Sequence, residues 1–338
     1  MVELNRREMV VLLGTSGMAS VTLKGAEDLH MKKESLPADP QQRRELLYRL
    51  MGDLPDRNRP ISATLVSREE REHFVLEKLQ LDLNGIEPVP AYFIRPLNAS
   101  GRLPTVLYNH SHGGGYKIGK DEILNGREYL QSPPYGRVIS ELGWSALCID
   151  SWVFGERSHT TELDMFKAMI WQGEVLWGMM VYDSLRAVDY LFSRPDVDTG
   201  RVATLGMSMG STMAWWLAAL DPRIKVTVDI CCLTDFESLL KHNGQHGHGI
   251  YYYVPGLMKY FSTSQINALI SPRPHLGIAG LQDTLTPVDG LDIIDANLKQ
   301  VYARAGHPEH WKLLRYDCGH QETPEARNEI IQFLKTYV

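Results

Sequence analysis

Val-Ala-Thr-Leu-Gly-Met-Ser-Met-Gly-Ser-Thr-Met-Ala-Trp-Trp-Leu-Ala-Ala, residues 202–219, is the most informative stretch of this sequence. The apolar run 202–205 predicts a short buried strand, and residues 211–219 predict a helix. Between them, Gly206, Ser208 and Gly210 fit the pattern Gly-x-Ser-x-Gly. A sharp turn from strand to helix strains the backbone at the serine and projects its hydroxyl beyond the sheet edge. We therefore predict that Ser208 is a catalytic nucleophile.

Short apolar runs alternate with helical patterns on both sides of this turn. Such alternation indicates βαβ units, a mostly parallel sheet and, through right-handed crossovers, helices on both faces. The predicted strands are 105–108, 144–149, 202–205, 226–232, 275–281 and 311–316, and the predicted helices are 135–142, 174–192, 211–219, 288–305 and 324–337. The sequence therefore predicts an α/β fold with a mostly parallel central sheet.

The remaining segments predict additions to this sheet. Residues 73–83 alternate between apolar and polar side chains, and Asn84-Gly85 separates them from a second strand-like run, which predicts an antiparallel hairpin. Residues 36–60 predict an N-terminal helical decoration. Between about 234 and 272 the alternation stops for longer than a plain connection allows, which predicts a cap-like insertion. We interpret residues 36–338 as a single domain with these additions.

The first 30 residues allow two interpretations. Arg6 and Arg7 precede a modest apolar segment, a pattern similar to a twin-arginine export signal. The same residues 1–30 could instead form a helix that covers the fold. The protein is accordingly predicted to be either cytoplasmic or exported to the periplasm.

A serine hydroxyl needs a general base, and the sequence offers one with an acid to support it. Asp283 follows the predicted strand 275–281, and His320 follows the strand 311–316. The order serine, acid, histidine is the one that accompanies a Gly-x-Ser-x-Gly turn, and the carboxyl ends of parallel strands meet at one sheet edge. We therefore expect Ser208, Asp283 and His320 to form a catalytic triad. Asp289 and Asp317 compete for the acid role, but Asp289 lies inside a predicted helix and Asp317 is very near the histidine.

The glycine-rich segment His110-Ser-His-Gly-Gly-Gly115 follows the predicted strand 105–108. Backbone N–H groups in such a loop, with the N–H of Met209, can point at a developing oxyanion. If the first two residues replace the usual His-Gly, the loop donor is His112. If a lipase-like His-Gly-Gly-Gly begins two residues later, the donor is Gly113 or Gly114. Both alternatives remain open.

These motifs together resemble the α/β-hydrolase superfamily, and more narrowly a bacterial branch near dienelactone-hydrolase-like and acetyl-xylan-esterase-like proteins. Asp150-Ser-Trp-Val-Phe-Gly-Glu-Arg157 is similar to a D-x(4)-G-E-R element of such esterases. Dienelactone hydrolases use a cysteine nucleophile, whereas position 208 is serine. The resemblance implies the α/β-hydrolase fold and a carboxylic-ester hydrolase that acts on small or acetylated esters. It also implies an acyl-enzyme on Ser208 and no metal or organic cofactor.

Three residues are predicted to contact the substrate: His248 and Tyr251, from the insertion, and Trp152.

Other functions compete with an esterase. A prolyl-oligopeptidase-like peptidase shares the triad order, but this chain has no propeller-length segment ahead of its triad. An acyltransferase would need an acceptor that outcompetes water. A catalytically inactive binding protein would not need an intact triad.

Composition excludes several classes of partner. The 338 residues are 43% hydrophobic and 22% charged, with a formal net charge of -6. They contain no block rich in lysine and arginine, so we predict no nucleic-acid partner. A mildly acidic chain has no electrostatic reason to sit on an anionic membrane, and no stretch is long and apolar enough to span one. The four cysteines fit neither a disulfide scaffold nor a zinc framework. The predicted partner is a small-molecule ester.

Overall fold

The computed structural model describes residues 33–338, and a single sheet organises them. The sheet has nine strands in the order β1-β2-β3-β5-β4-β6-β7-β8-β9. The pairs from β5 through β9 are parallel, and β1, β2 and β3 join the sheet antiparallel. The strands are β1 Ser62–Glu70, β2 Phe74–Asp82, β3 Val89–Pro96, β4 Leu103–Asn109, β5 Ser145–Ile149, β6 Val197–Met207, β7 Val226–Ile230, β8 His275–Gly280 and β9 Trp311–Tyr316. The predicted mostly parallel α/β architecture is confirmed, whereas the predicted signal or helix at 1–30 lies outside the described residues.

Helices cover both faces of this sheet because successive strand residues point to opposite sides. Leu107 and Leu147 face one hydrophobic core, and Val106 and Ala146 face the other. The helices are α1 Pro40–Arg49, α2 Glu122–Asn125, α3 Tyr135–Glu141, α4 Glu162–Trp171, α5 Leu176–Ser193, α6 Met209–Leu220, α7 Phe236–Lys241, α8 Leu257–Tyr260, α9 Thr263–Asn267, α10 Val288–Arg304 and α11 Pro324–Tyr337. Within the described residues, no helix is long and apolar enough to cross a membrane.

The N-terminal hairpin forms as predicted, but its connection is longer than the predicted two-residue turn. Strand β2 ends at Asp82 and β3 begins at Val89. Asn84 is buried; its Oδ1 accepts from the N–H of Ile86 at 2.8 Å and its Nδ2 donates to Asp183 at 2.8 Å. These bonds fold residues 83–88 into a loop.

Outside the predicted insertion, three elements escaped the sequence analysis: β1, α2 and α4. Strand β1 is an edge strand whose side chains are mostly exposed, so it lacks the alternation that marks a half-buried strand. Helix α4 lies in a segment with no predicted structure and begins at Glu162, with Thr161 as its N-cap. The segment predicted as an insertion contains α7, α8, α9 and a turn of 3₁₀ helix at Ile250–Tyr252, which packs against α4.

Candidate active site

Ser208 lies on the sharp turn between β6 and α6. Its φ and ψ are 60° and −118°, a combination that residues other than glycine rarely adopt. The Ser208 N–H donates to Ile230 O at 2.8 Å. A Cβ on Gly206 would lie 2.3 Å from Gly210 O, and one on Gly210 would lie 2.0 Å from Asn109 O. Only glycine permits this approach of strand and helix, so the turn has the geometry that the sequence pattern predicts.

His320 and Asp283 meet at the same edge of the sheet. Asp283 follows β8, His320 follows β9, and the imidazole Nδ1 lies 2.7 Å from the Asp283 Oδ2. Because a carboxylate only accepts, Nδ1 carries the hydrogen and Nε2 is left with a lone pair. The other Asp283 oxygen accepts from the N–H of Leu285 at 2.9 Å. No hydrogen bond joins Ser208 to His320 in the described part of the chain, a common state before substrate binds.

The two competing aspartates are occupied elsewhere. Asp289 accepts from Lys241 at 3.0 Å, from His242 at 3.0 Å and from the Ser238 hydroxyl. Asp317 accepts from Gln282 Nε2 at 2.8 Å. His320 therefore has Asp283, and neither of the alternatives, as its carboxylate partner.

The loop after β4 presents backbone N–H groups near the start of α6. Within residues 33–338, the N–H groups of Met209, His112 and Gly113 have no acceptor. The N–H of Gly114 donates to His112 Nδ1 at 3.0 Å. It is not available to a substrate in this conformation, which corrects the prediction of Gly114 as an oxyanion donor.

Three buried glutamates hold the loops of the site, and sequence reasoning missed all of them. Glu122 accepts from the Ser111 N–H at 3.0 Å and from the Tyr108 hydroxyl at 2.8 Å. Glu162 holds the side chain of His112 at 3.1 Å. No local pattern marks these glutamates, because most of their partners lie on other elements that only the folded chain brings to them.

The third glutamate, Glu322, stands two residues beyond His320. It accepts from Arg327 Nη2 at 2.7 Å, from the Tyr135 hydroxyl at 2.5 Å and from the Gln131 N–H at 2.9 Å. These bonds fasten the loop of His320 to α3 and α11.

The structure places the three predicted substrate-contact residues in different surroundings. Trp152 is 4% exposed in the core, and the Arg157 guanidinium lies 4.4 Å from its ring centroid, so its packing does not support a substrate contact. Tyr251 is also buried, and its ring stacks on His112 at 5.5 Å. His248 Nε2 lies 3.1 Å from Leu285 O, and burial lowers the pKa of its imidazole. A substrate contact of His248 stays a prediction.

The segment that carries the D-x(4)-G-E-R element is held by buried ion pairs and hydrogen bonds. Lys120 Nζ lies 2.8 Å from Asp150 Oδ2 and 2.6 Å from Glu156 Oε1, and the Lys120 side chain is 4% exposed. A Cβ on Gly155 would lie 2.1 Å from Asp150 Oδ1. Arg157 donates to the Asp150 carbonyl at 2.9 Å. The element therefore has a structural role.

Space for ligands lies beside the loop after β4. A cavity of about 460 Å³ is lined by Tyr116, Lys117, Ser158, Thr160, Thr161, Glu162, Leu163 and Ile250.

A cluster of potential metal ligands lies elsewhere, just before β9. His307, Glu309 and His310 form the only such cluster in residues 33–338. The two imidazole rings stack within 10° of parallel at 4.6 Å. No point lies in the planes of two parallel stacked rings, so this arrangement does not fit a shared metal ion.

Comparisons with known proteins agree with this geometry. The family described as acetyl xylan esterase (AXE1) matches residues 73–267. A Bacillus subtilis (strain 168) protein named "Putative hydrolase YtaP" is 49% identical over 297 residues, which cover 88% of this chain and 99% of that protein.

Two solved structures are similar across most of the chain. A "putative acetyl xylan esterase" from Bacteroides fragilis NCTC 9343 superposes with a TM-score of 0.67 at 20% identity, over 90% of this chain and 86% of that one. A glucuronoyl esterase from Solibacter usitatus has a TM-score of 0.61 at 15% identity, over 87% and 91% of the two chains. At these identities the solved structures establish the fold alone.

Proposed function

This chain belongs to the acetyl xylan esterase (AXE1) family of carboxylic-ester hydrolases, and we propose that it cleaves its esters through an acyl-enzyme on Ser208. The observation that carries the proposal is the pair of His320 and Asp283 at the sheet edge where the strained turn presents the serine. The Asp283 carboxylate fixes the imidazole tautomer and stabilises the cation that forms during the reaction.

The reaction proceeds in two acyl-transfer steps. His320 Nε2 takes the proton of Ser208 Oγ as that oxygen attacks the ester carbonyl, and then gives the proton to the leaving alcohol. In the second step His320 takes a proton from water, the resulting hydroxide attacks the acyl carbon, and the proton returns to the serine as the carboxylic acid leaves. Each step passes through a tetrahedral intermediate with a negatively charged oxygen.

The proposed oxyanion hole consists of the N–H groups of Met209 and His112. Both lack an acceptor within residues 33–338, and Met209 stands at the N-terminus of α6, where the helix dipole favours negative charge. Gly113 is the remaining alternative from the same loop. Donors that are already in place stabilise the transition state without reorganisation, and removal of one such donor lowers kcat by a factor of about 10²–10³.

We assign small or acetylated esters to the site as substrates. In support, a cavity of about 460 Å³ lies beside the loop after β4, and its wall includes Glu162 and Tyr116, both next to His112. The family to which the chain belongs favours acetyl groups on the acyl side.

The experiment is hydrolysis of p-nitrophenyl esters from acetate to decanoate by wild type and Ser208→Ala. We expect turnover of the short esters and a loss of kcat of about 10⁶ in the variant, because the nucleophile is gone. A fluorophosphonate should label Ser208 in wild type and nothing in the variant. Turnover by the variant at the wild-type rate would refute the acyl-enzyme. If wild type neither hydrolyses the esters nor reacts with the fluorophosphonate, the hypothesis of an inactive binding protein is favoured. If it is labelled but does not hydrolyse the esters, a peptidase or an acyltransferase is favoured.

A further inference from the structure

The carboxylate of Glu162 receives hydrogen bonds from three groups that belong to two separate segments of the chain. His112 Nε2 lies at 3.1 Å, the Tyr116 hydroxyl at 2.7 Å and the Tyr251 N–H at 2.9 Å. Glu162 is the first residue of α4 and is 6% exposed. One buried carboxylate thus ties the loop after β4 to α4 and to the insertion.

The His112 ring is fixed at both nitrogens. Nδ1 accepts from the Gly114 N–H at 3.0 Å and is therefore unprotonated, so Nε2 carries the hydrogen that is donated to Glu162. The rings of Tyr116, Phe154 and Tyr251 surround the imidazole with centroids 5.0, 5.1 and 5.5 Å away. The imidazole has one orientation and one tautomer in this packing.

The peptide that links Ser111 to His112 is held from both sides. On one side, the Ser111 N–H donates to both oxygens of Glu122, at 3.0 and 3.1 Å. On the other, the His112 ring is anchored by Glu162. Since a peptide is planar, holding its two Cα atoms leaves the His112 N–H a single rotation, about the line that joins those atoms, and the anchored His112 ring restricts that rotation.

Resting on the proposed function, we infer that Glu162 is a positioning residue of the ester hydrolysis: through the His112 ring, it aims the His112 N–H at the oxyanion. Glu162 itself touches no reacting atom in this mechanism. Burial raises the pKa of the Glu162 carboxyl, but the bonds from His112, Tyr116 and Tyr251 outweigh it, and the pKa lies below its ordinary value. The group is thus ionised at neutral pH and can accept from all three donors.

The test compares Glu162→Gln with Glu77→Gln, which makes the same change at a buried carboxylate on β2 that pairs with Arg194 at 3.0 Å. For p-nitrophenyl acetate, we expect Glu162→Gln to lower kcat about 10–100-fold, the usual effect of losing a group that orients a reacting one. KM should stay within about threefold, because the oxyanion forms only in the transition state. Glu77→Gln should stay within about threefold of wild type in kcat, since its partner is Arg194 and the aim of the His112 N–H is unchanged.

Two further measurements separate positioning from a general structural defect. Binding of phenylboronic acid, which forms a tetrahedral adduct on the serine, should weaken in Glu162→Gln by the same factor as kcat, while Tm changes by only a few degrees. In a double-mutant cycle with His112→Gln, the double variant should lose no more than the worse single variant, because both act on one N–H.

The inference is overturned if wild type hydrolyses the ester and Glu162→Gln matches it in kcat and boronate affinity, or if the two single losses multiply in the double variant. An unfolded Glu162→Gln also counts against it unless His112→Gln, which retains a side-chain N–H for Glu162, reproduces the parallel loss of kcat and boronate affinity. Failure of the proposed function has a different signature: wild type itself would neither turn over the ester nor bind the boronate.

Discussion

The imidazole of His320 and the carboxylate of Asp283 lie 2.7 Å apart across the ends of two neighbouring parallel strands, β8 and β9. The strands are in register up to Gly280 and Tyr316, so the loops that carry the two residues leave the sheet side by side. The Asp283 side chain is 1% exposed and that of His320 is 24% exposed. The acid is thus shielded from water while the base can reach a substrate.

Replacement of Asp283 by asparagine should abolish most of the activity. An amide that donates to Nδ1 favours the wrong imidazole tautomer, and the expected loss in kcat for p-nitrophenyl acetate is about 10⁴-fold. Asp317→Asn is the matched control: among the described residues 33–338 Asp317 bonds only Gln282, and the variant should keep activity within about twofold. A larger loss in Asp317→Asn or Asp289→Asn than in Asp283→Asn would contradict the assignment.

Substitution of Gly210 by alanine should destabilise the fold. The new Cβ would lie 2.0 Å from the backbone oxygen of Asn109, which no side-chain rotation can relieve. We expect a loss of at least about 1–3 kcal/mol in urea unfolding, the range for overpacked sites. Gly200→Ala meets only the Asp198 carboxylate, at 3.2 Å, and should change stability by less than about 0.5 kcal/mol. Equal stabilities of the two variants would disprove the close approach.

Removal of the buried Lys120 ammonium should lower the free energy of unfolding more than removal of an exposed ammonium. Burial lowers the pKa of Lys120, but Asp150 and Glu156 outweigh it, and the pKa is raised. Lys120→Met leaves Asp150 buried without its partner, and we expect a loss of about 3–5 kcal/mol. Lys299→Met, which breaks the exposed pair with Asp295, should cost about 0.5 kcal/mol or less. Comparable losses in urea unfolding would show that the Asp150 carboxylate does not depend on this partner.

Acid should destabilise the protein partly through His110. Burial lowers the pKa of this imidazole, whose Nε2 accepts from the Ser151 N–H at 3.1 Å and therefore has no hydrogen. The unfolded chain takes up a proton near pH 6.5 and the folded chain only at lower pH. Stability from this group is complete above about pH 6.5 and is lost as the pH falls toward the folded pKa.

The measurement is the free energy of unfolding against pH for wild type and His110→Asn. Between about pH 7 and 5, the variant should lose less stability per pH unit than wild type, because one titrating group is gone. His159→Gln, at a side chain that is 59% exposed, should keep the wild-type slope. A wild-type slope in His110→Asn would refute the linkage.

The sequence by itself determined the parallel strands, the helices α3, α5, α6, α10 and α11, and the places of Ser208, Asp283 and His320 after strand ends. Short apolar runs and Gly-x-Ser-x-Gly are local patterns, and each reflects a local constraint: buried strands need apolar residues, and the turn needs glycines at 206 and 210. Right-handed crossovers then place helices on both faces of the sheet, and the carboxyl ends of the parallel strands β6, β8 and β9 lie at one edge.

Only the tertiary structure decided which groups hold the site in place. Glu162 bonds His112 and Tyr251, and Glu322 bonds Tyr135, through contacts that depend on where distant segments pack. The same packing removed Gly114 from the oxyanion donors, because the His112 ring turned its Nδ1 toward that N–H. A glutamate in a sequence has no partner until the chain around it is folded, because a hydrogen bond is fixed within a few tenths of an ångström and sequence patterns fix only which face of an element is buried.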